Sequence, residues 1–268
     1  MKIKNNKLYI ACDMEGTAGN CNWDEVNQET AVYSQFQELM TEEVLKICNI
    51  ASNYFKEIYI KDGHWTETNI LLKNLPSNCF IIRGNDGRNL TGLDETFDAV
   101  MLVGYHAAGG EFQYPLSHTI TDDIVYEVRL NGKRIGETTL AIFDAKKLNV
   151  PVIFVSGDDK AVIEAKRLLP NLPSVTTKKL SNTSYLCKSP QKIYEELDDT
   201  LAKFINNLSN ENIDLCKIPS KFELEIEYTA YRFAKKYSNY PNSILDGKTV
   251  KYFPKDLDEF LRIINLCI

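Results

Sequence analysis

The segment KLYIACDMEG, Lys7 to Gly16, passes from an uninterrupted apolar run to two carboxylates. Leu8 to Cys12 reads as a strand with no polar alternation, which is the pattern of a strand covered on both faces, as in parallel α/β sheets. Asp13 and Glu15 follow at i and i+2. In an extended chain these positions point to the same side. Two like charges on one face repel, and burying them unpaired is costly. A buried strand that ends in such a pair predicts a sheet edge where positive charge is held.

The rest of the chain alternates in the same way. Glu29 to Phe55 carries apolar residues at helical spacing, and Glu57 to Lys61 reads as a second strand. A short helix over Glu67 to Leu75 is expected next. A strand over Asn78 to Gly84, a loop over residues 85–89 and a buried strand over Ala99 to Tyr105 follow. Ile124 to Glu137 reads as a hairpin with Asn131-Gly132 as its turn. A helix from Thr138 to Asn149 leads to a strand, Pro151 to Gly157. Asp158 caps a helix that runs to Pro170. Val175 to Leu180 is a strand and Ser189 to Leu208 a long helix. The tail reads as strand (Phe222 to Tyr228), helix, strand (Thr249 to Phe253) and a last helix from Asp256. Strands alternating with helices predict an α/β fold with a largely parallel sheet flanked by helices. The polar stretch 209–220 marks the expected boundary between a catalytic α/β domain, residues 1–215, and a small C-terminal β/α piece, residues 216–268.

The 268 residues are 44% apolar and 25% charged, the balance of a soluble globular protein. A net charge of −6 excludes the basic footprint of a nucleic-acid-binding protein. Apolar runs fall far short of the ~20 residues a membrane-spanning helix needs. The N-terminal stretch lacks a signal core and a cleavage site, so a cytoplasmic protein is expected. The seven cysteines are odd in number, irregularly spaced and without a C-x-x-C pair, which fits reduced thiols better than disulfides or a thiolate zinc site.

Histidine is scarce, with three in the chain, so its placement is informative. His64 follows the second strand, in KDGHW. His106 follows the Ala99 to Tyr105 strand, in LVGYHAAGG. With Asp13 and Glu15, three strands deliver ligand-type residues at their C-terminal ends, where α/β sheets bind ligands. Glu137, where the hairpin gives way to a helix, closes the set. Each residue alone has a structural alternative. Asp13 or Glu15 fits a turn cap, Glu137 suits a helix N-terminus, a lone histidine is often a hydrogen-bonded structural residue, and Asp62-Gly63 is a turn pair. Together they read as a metal cluster. Three carboxylates and two imidazoles exceed what one zinc ion usually takes from protein, but suit two ions roughly 3–4 Å apart. Mixed nitrogen and oxygen ligation favours Zn2+, with Mn2+ or Co2+ as alternatives. His118, in the polar loop YPLSHTI, is the candidate general base or nucleophile.

The motifs DMEG (Asp13–Gly16), DGH (Asp62–His64), GYHA (Gly104–Ala107), SHT (Ser117–Thr119), GE (Gly136–Glu137) and SGDD (Ser156–Asp159) occur in one order along nearly the whole chain. In these the sequence resembles the zinc D-aminopeptidases of the dipeptide-transport type. The resemblance implies two zinc ions held by Asp13, Glu15, His64, His106 and Glu137, with His118 catalytic as nucleophile, base or proton shuttle. It implies release of N-terminal D-amino acids from short peptides such as D-Ala-D-Ala, and a homodecamer of two stacked pentameric rings. Ala141 stands near a position where the family carries asparagine, so weaker selectivity for the D form is expected. Two other functions keep the same metals: another amidase or phosphoesterase, for which Arg83 and Arg88 are the available basic groups, or a peptide-binding protein without turnover.

Overall fold

The computed structural model describes residues 5–84, 88–182, 184–206, 208 and 215–268. Its elements are β1 (Lys7–Cys12), α1 (Trp23–Val26), α2 (Tyr33–Ala51), β2 (Glu57–Asp62), β3 (Cys79–Ile82), β4 (Ala99–Tyr105), β5 (Val125–Leu130), β6 (Lys133–Arg134), α3 (Glu137–Lys147) and β7 (Val152–Asp158). They continue with α4 (Asp159–Leu168), β8 (Ser174–Ser181), β9 (Ser184–Cys187), α5 (Pro190–Leu197), α6 (Lys203–Asn206), β10 (Leu224–Tyr228), α7 (Tyr231–Tyr237), β11 (Ile244–Asp246), β12 (Thr249–Tyr252) and α8 (Leu257–Cys267).

The main sheet has seven strands in the order β3-β2-β1-β4-β7-β8-β9, parallel throughout except for β9. The chain leaves β1 in one direction to β2 and β3, then returns to β4 on the other side. The point where the order reverses lies between β1 and β4, where doubly wound sheets open a crevice for ligands. Along β1, Leu8, Ile10 and Cys12 enter a core formed with α2 and α5, while Tyr9 and Ala11 enter the core on the opposite face. Burial on both faces is why this strand is apolar at every position.

That second face is covered by α3, α4, α8 and an antiparallel five-stranded sheet, β11-β12-β10-β5-β6. Two of its strands come from the hairpin, whose turn residues Asn131 and Gly132 both have positive φ as a type I′ turn requires. The other three come from the tail. Residues 85–87 of the expected loop and 209–214 of the expected boundary lie outside the described residues.

Three sequence expectations change. Glu67 to Leu75 is not a helix. The Asp62 carboxylate accepts hydrogen bonds from the backbone N–H groups of Asn69 and Ile70, at 2.5 and 2.8 Å, and from the Asn69 amide at 2.9 Å. These side-chain bonds hold the backbone in a loop and compete with a helical ladder. The helix expected from Glu29 starts at Tyr33, and the long helix from Ser189 is interrupted by a wider, π-type turn over Asp198–Ala202. Strands β9 and β11, each at a sheet edge, carry too few residues to be read from periodicity.

Candidate metal centre

Two glycines set the geometry of the carboxylate loop. Gly16 donates its N–H to the Gly104 carbonyl at 2.8 Å. A Cβ on Gly16 would lie 1.8 Å from the Tyr105 carbonyl oxygen, and one on Gly104 would lie 2.1 Å from that of Asp13. Gly104 also has φ +73°, open to glycine at little cost. The loop after β1 therefore seats directly on the end of β4, bringing Asp13 against His106.

The loop is also cradled from beneath by β8. Lys178, 2% exposed, donates to the carbonyls of Glu15, Thr17 and Asn20 and to the Asn20 side chain. Burial lowers the Lys178 pKa, against the raising effect of Asp158, Glu15 and nearby thiols. Thr177 donates to the Gly16 carbonyl at 2.6 Å. Neither residue was legible as part of the site, because only the crossover that lays β8 beside β7 brings them under the loop.

On this support the ligand-type side chains converge. His64 Nδ1 lies 3.4 Å from Asp13 Oδ1 and 3.0 Å from Glu15 Oε2. His106 Nε2 lies 3.3 Å from Asp13 Oδ2 and 3.5 Å from Glu137 Oε1. Asp13 thus faces one imidazole with each oxygen. His118 Nε2 is 3.6 Å from Glu137 Oε1, and its ring stacks on that of His106 with centroids 4.2 Å apart. Asp13, Glu15, His64, His106, His118 and Glu137, the candidate metal and catalytic residues of the sequence, are brought to this one place.

Each imidazole is oriented by a carbonyl on its far side. His64 Nε2 donates to Val26 O at 2.8 Å, and His106 Nδ1 to Ala107 O at 2.9 Å. The inward nitrogens are then free to act as ligands, the arrangement usual for metal-binding histidines. His106 Nε2 is buried and makes no hydrogen bond. A buried polar nitrogen without a partner is costly unless something else binds it. The His64–Glu15 contact at 3.0 Å is a hydrogen bond, whereas the other separations, 3.3–3.6 Å, are long for one. They match the edge, about 3.3 Å, of a tetrahedron with zinc–ligand bonds of about 2.0–2.1 Å. The donor set fits dications.

The electrostatics agree. Burial alone would lower the His64 and His106 pKa values, but Glu15, Asp13 and Glu137 beside them raise both well above 6.5. Burial would raise Asp13, yet contact with His106 and His64 holds it well below the usual carboxylate range. Glu137 is likewise lowered by His106 and His118 against the effect of burial. Carboxylates and imidazoles thus shift one another toward their charged forms, and the pocket favours positive charge beside its carboxylates.

Three further acids position the ligand-type residues. Asp62, with Asn69, secures the His64 turn: the Asn69 amide donates to His64 O at 2.6 Å. Asp158 caps α4 through Ala161 N at 2.9 Å and also accepts from Ala107 N at 2.7 Å, beside His106. Glu164 accepts from Gly136 N and Thr139 N, at 2.8 and 2.9 Å, and so holds the start of α3, which carries Glu137. The SGDD motif signalled the cap, but not the link to His106.

The centre opens into a cleft of about 450 Å³ between the main sheet and α8, lined among others by Lys61, Trp65, Glu67 and Ile120. Arg88 lines it, whereas Arg83 is turned to the Ile70 carbonyl. Ala141 is fully buried in the core beneath α3 and does not line the cleft. The expectation that it alters substrate contacts, and with them the selectivity, loses its support.

A parallel α/β sheet that gathers carboxylates and imidazoles at its topological switch point belongs to the class of metallohydrolase scaffolds. The family model of peptidase family M55, D-aminopeptidase, matches residues 6–266, and the chain belongs to this family of hydrolases. A D-aminopeptidase of Bacillus subtilis (strain 168) is 30% identical over 208 residues, covering 75% of this chain and 74% of that protein. The solved structure of the Zn-dependent D-aminopeptidase DppA from Bacillus subtilis, described as a self-compartmentalizing protease, is similar with a TM-score of 0.85. It is 28% identical, over 97% of this chain and 96% of that one.

Proposed function

We propose that this protein is a dinuclear zinc aminopeptidase that removes N-terminal D-amino acids from short peptides of the D-Ala-D-Ala type. The observation that carries this reading is the convergence of the inward His64 and His106 nitrogens on the two oxygens of Asp13, with His106 Nε2 buried and unpartnered. Asp13, Glu15 and His64 would hold one ion, and Asp13, His106 and Glu137 the other. Bound there, the ions would polarise the scissile carbonyl and stabilise charge developing on its oxygen. His118 stands at the edge of the cluster with its Nδ1 fixed by Leu116 O at 3.0 Å, so Nε2 is the nitrogen available to move a proton or attack. The similarity to a D-aminopeptidase and to a Zn-dependent D-aminopeptidase of Bacillus subtilis supports the reading.

A panel of D-Ala-D-Ala, L-Ala-L-Ala and N-acetyl-D-Ala-D-Ala tests it. Release of D-alanine from the first alone is expected. Faster cleavage of the L,L isomer removes the stereochemical part, and undiminished cleavage of the acetylated peptide removes the aminopeptidase part.

The same reading places the enzyme in the cytoplasm as a decamer of two pentameric rings. Unpaired thiols at all seven cysteines suit a reducing compartment, and among the described residues no helix is long and apolar enough to cross a membrane. The self-compartmentalizing relative supports a ring assembly. Light scattering is expected to give about ten chains per particle; a monomer at micromolar concentration would remove the assembly.

A further inference from the structure

The cleft contains a buried charged pair that the metal chemistry does not use. Lys61, at the end of β2, is 2% exposed, and Glu67, in the loop after His64, is 6% exposed. Lys61 Nζ donates to the Asp62 carbonyl at 2.7 Å and lies 2.7 Å from Glu67 Oε2. The second contact is a close ion pair between two nearly fully buried groups. Both side chains line the cleft that also holds Asp13 and Glu137.

Such a pair is a poor device for stability. Desolvating two charges costs roughly what their attraction returns, and apolar residues of the same size would serve as well. The backbone, too, is arranged at a cost. Trp65 and Glu67 both have positive φ, 38° and 57°, in the left-handed region that side chains disfavour. The Glu67 N–H is tied to His64 O at 2.8 Å, so the carboxylate is fixed relative to a proposed metal ligand. A rigid carboxylate that is paired with Lys61 and lines the cleft serving the reacting centre is placed to accept an N–H from something that enters.

We propose that Glu67 accepts the α-ammonium of the peptide's first residue, with Lys61 as the positioning residue that holds the carboxylate in place. The proposal rests on the aminopeptidase reading. It identifies what in this chain distinguishes a free N-terminus from an internal peptide bond. The α-nitrogen is two bonds from the carbonyl carbon that is attacked, so the group that holds the amine must lie in the cleft that serves the metal ligands, and Glu67 lines that cleft with Asp13 and Glu137. A carboxylate–ammonium hydrogen bond is charge-assisted and about twice as strong as a neutral one.

Glu67→Gln keeps the shape and removes the charge. Zinc-loaded wild type and variant are compared on D-Ala-D-Ala and on N-propionyl-D-Ala, the same peptide with hydrogen in place of the amine. Calorimetry, without turnover, compares binding of D-alanine and propionate. The variant is expected to lose about 10–100-fold in kcat/KM on D-Ala-D-Ala, mostly through KM. It should bind the propionyl peptide as the wild type does and should no longer prefer D-alanine to propionate. Glu67→Asp, which keeps the charge, should retain part of that preference. Equal losses on both peptides, persistence of the preference in Glu67→Gln, or loss of zinc from either variant would overturn the proposal. Were the wild type to cleave neither peptide, the peptidase reading would fail, while calorimetry would still decide the role of Glu67.

Discussion

Asp13→Asn is expected to empty the centre of zinc and lower turnover by about 10³-fold or more. Each oxygen of Asp13 faces a different histidine, at 3.4 and 3.3 Å, so this one carboxylate serves both proposed ions. The amide has the same shape but one poor donor atom toward a cation and no charge. Metal stabilisation of transition-state charge is worth several kcal/mol, and about 4 kcal/mol corresponds to 10³-fold. Elemental analysis should fall from two zinc ions per chain toward none, with circular dichroism unchanged. Retention of both ions would show that Asp13 is not the shared ligand. The wild type adds a pH signature. In the metal-free protein the carboxylates raise His64 and His106 well above 6.5. Zinc requires both imidazoles neutral, so binding displaces protons. Zinc affinity should therefore rise with pH until the raised values are passed, and fall in acid. In the metal-free protein the sign reverses. The stability these protonated histidines contribute is full below about 6.5 and is lost as pH rises through their raised values, leaving Asp13, Glu15 and Glu137 uncompensated. Thermal unfolding of chelator-treated protein should show that decline, and zinc-loaded protein should not.

His118→Ala is expected to cost 10²–10⁴-fold in turnover, about the range for a proton-transferring residue, while both zinc ions remain. Two observations motivate separating it from the ligands. Its Nε2 approaches one carboxylate of the cluster, Glu137, at 3.6 Å, whereas His64 and His106 each approach two. It also comes from the loop after β4 rather than from a strand end, packed against Trp23 with ring centroids 5.4 Å apart. The alternative has a geometric basis, because His106, His118 and Glu137 bring one donor atom each within 4.8 Å of one another. Metal analysis separates the two: loss of one ion along with the activity would make His118 a ligand, and full activity would make it a bystander.

The chain's order of residues was enough to place every strand of the main sheet except β9, most clearly β1, β4 and β7, which are buried on both faces and carry a continuous apolar signal. It was also enough to place ligand-type residues at the ends of β1, β2 and β4, since chemistry-bearing residues interrupt that signal abruptly. Glu137 was legible for a related reason, standing where a hairpin with an Asn-Gly turn hands over to a helix. What failed was the segment Glu67 to Leu75. Its local pattern is helical, but its backbone bonds go to Asp62, seven and eight residues earlier, and no periodicity within the segment encodes that partner.

The sequence by itself therefore determined the α/β class, the strand ends that face the crevice and the ligand-type residues that stand there, because burial and side-chain chemistry are properties of residue type at a spacing of two to four positions. Only the tertiary structure decided that Asp13 lies between two imidazoles and that Gly16 and Gly104 interlock to put it there. Only the tertiary structure placed Lys178, 163 residues from Glu15, beneath the carboxylate loop, and Lys61 beside Glu67 in the cleft. Those juxtapositions depend on strand order and on close backbone approach across the sheet, and contacts between residues far apart in the chain leave no local trace in the sequence that makes them.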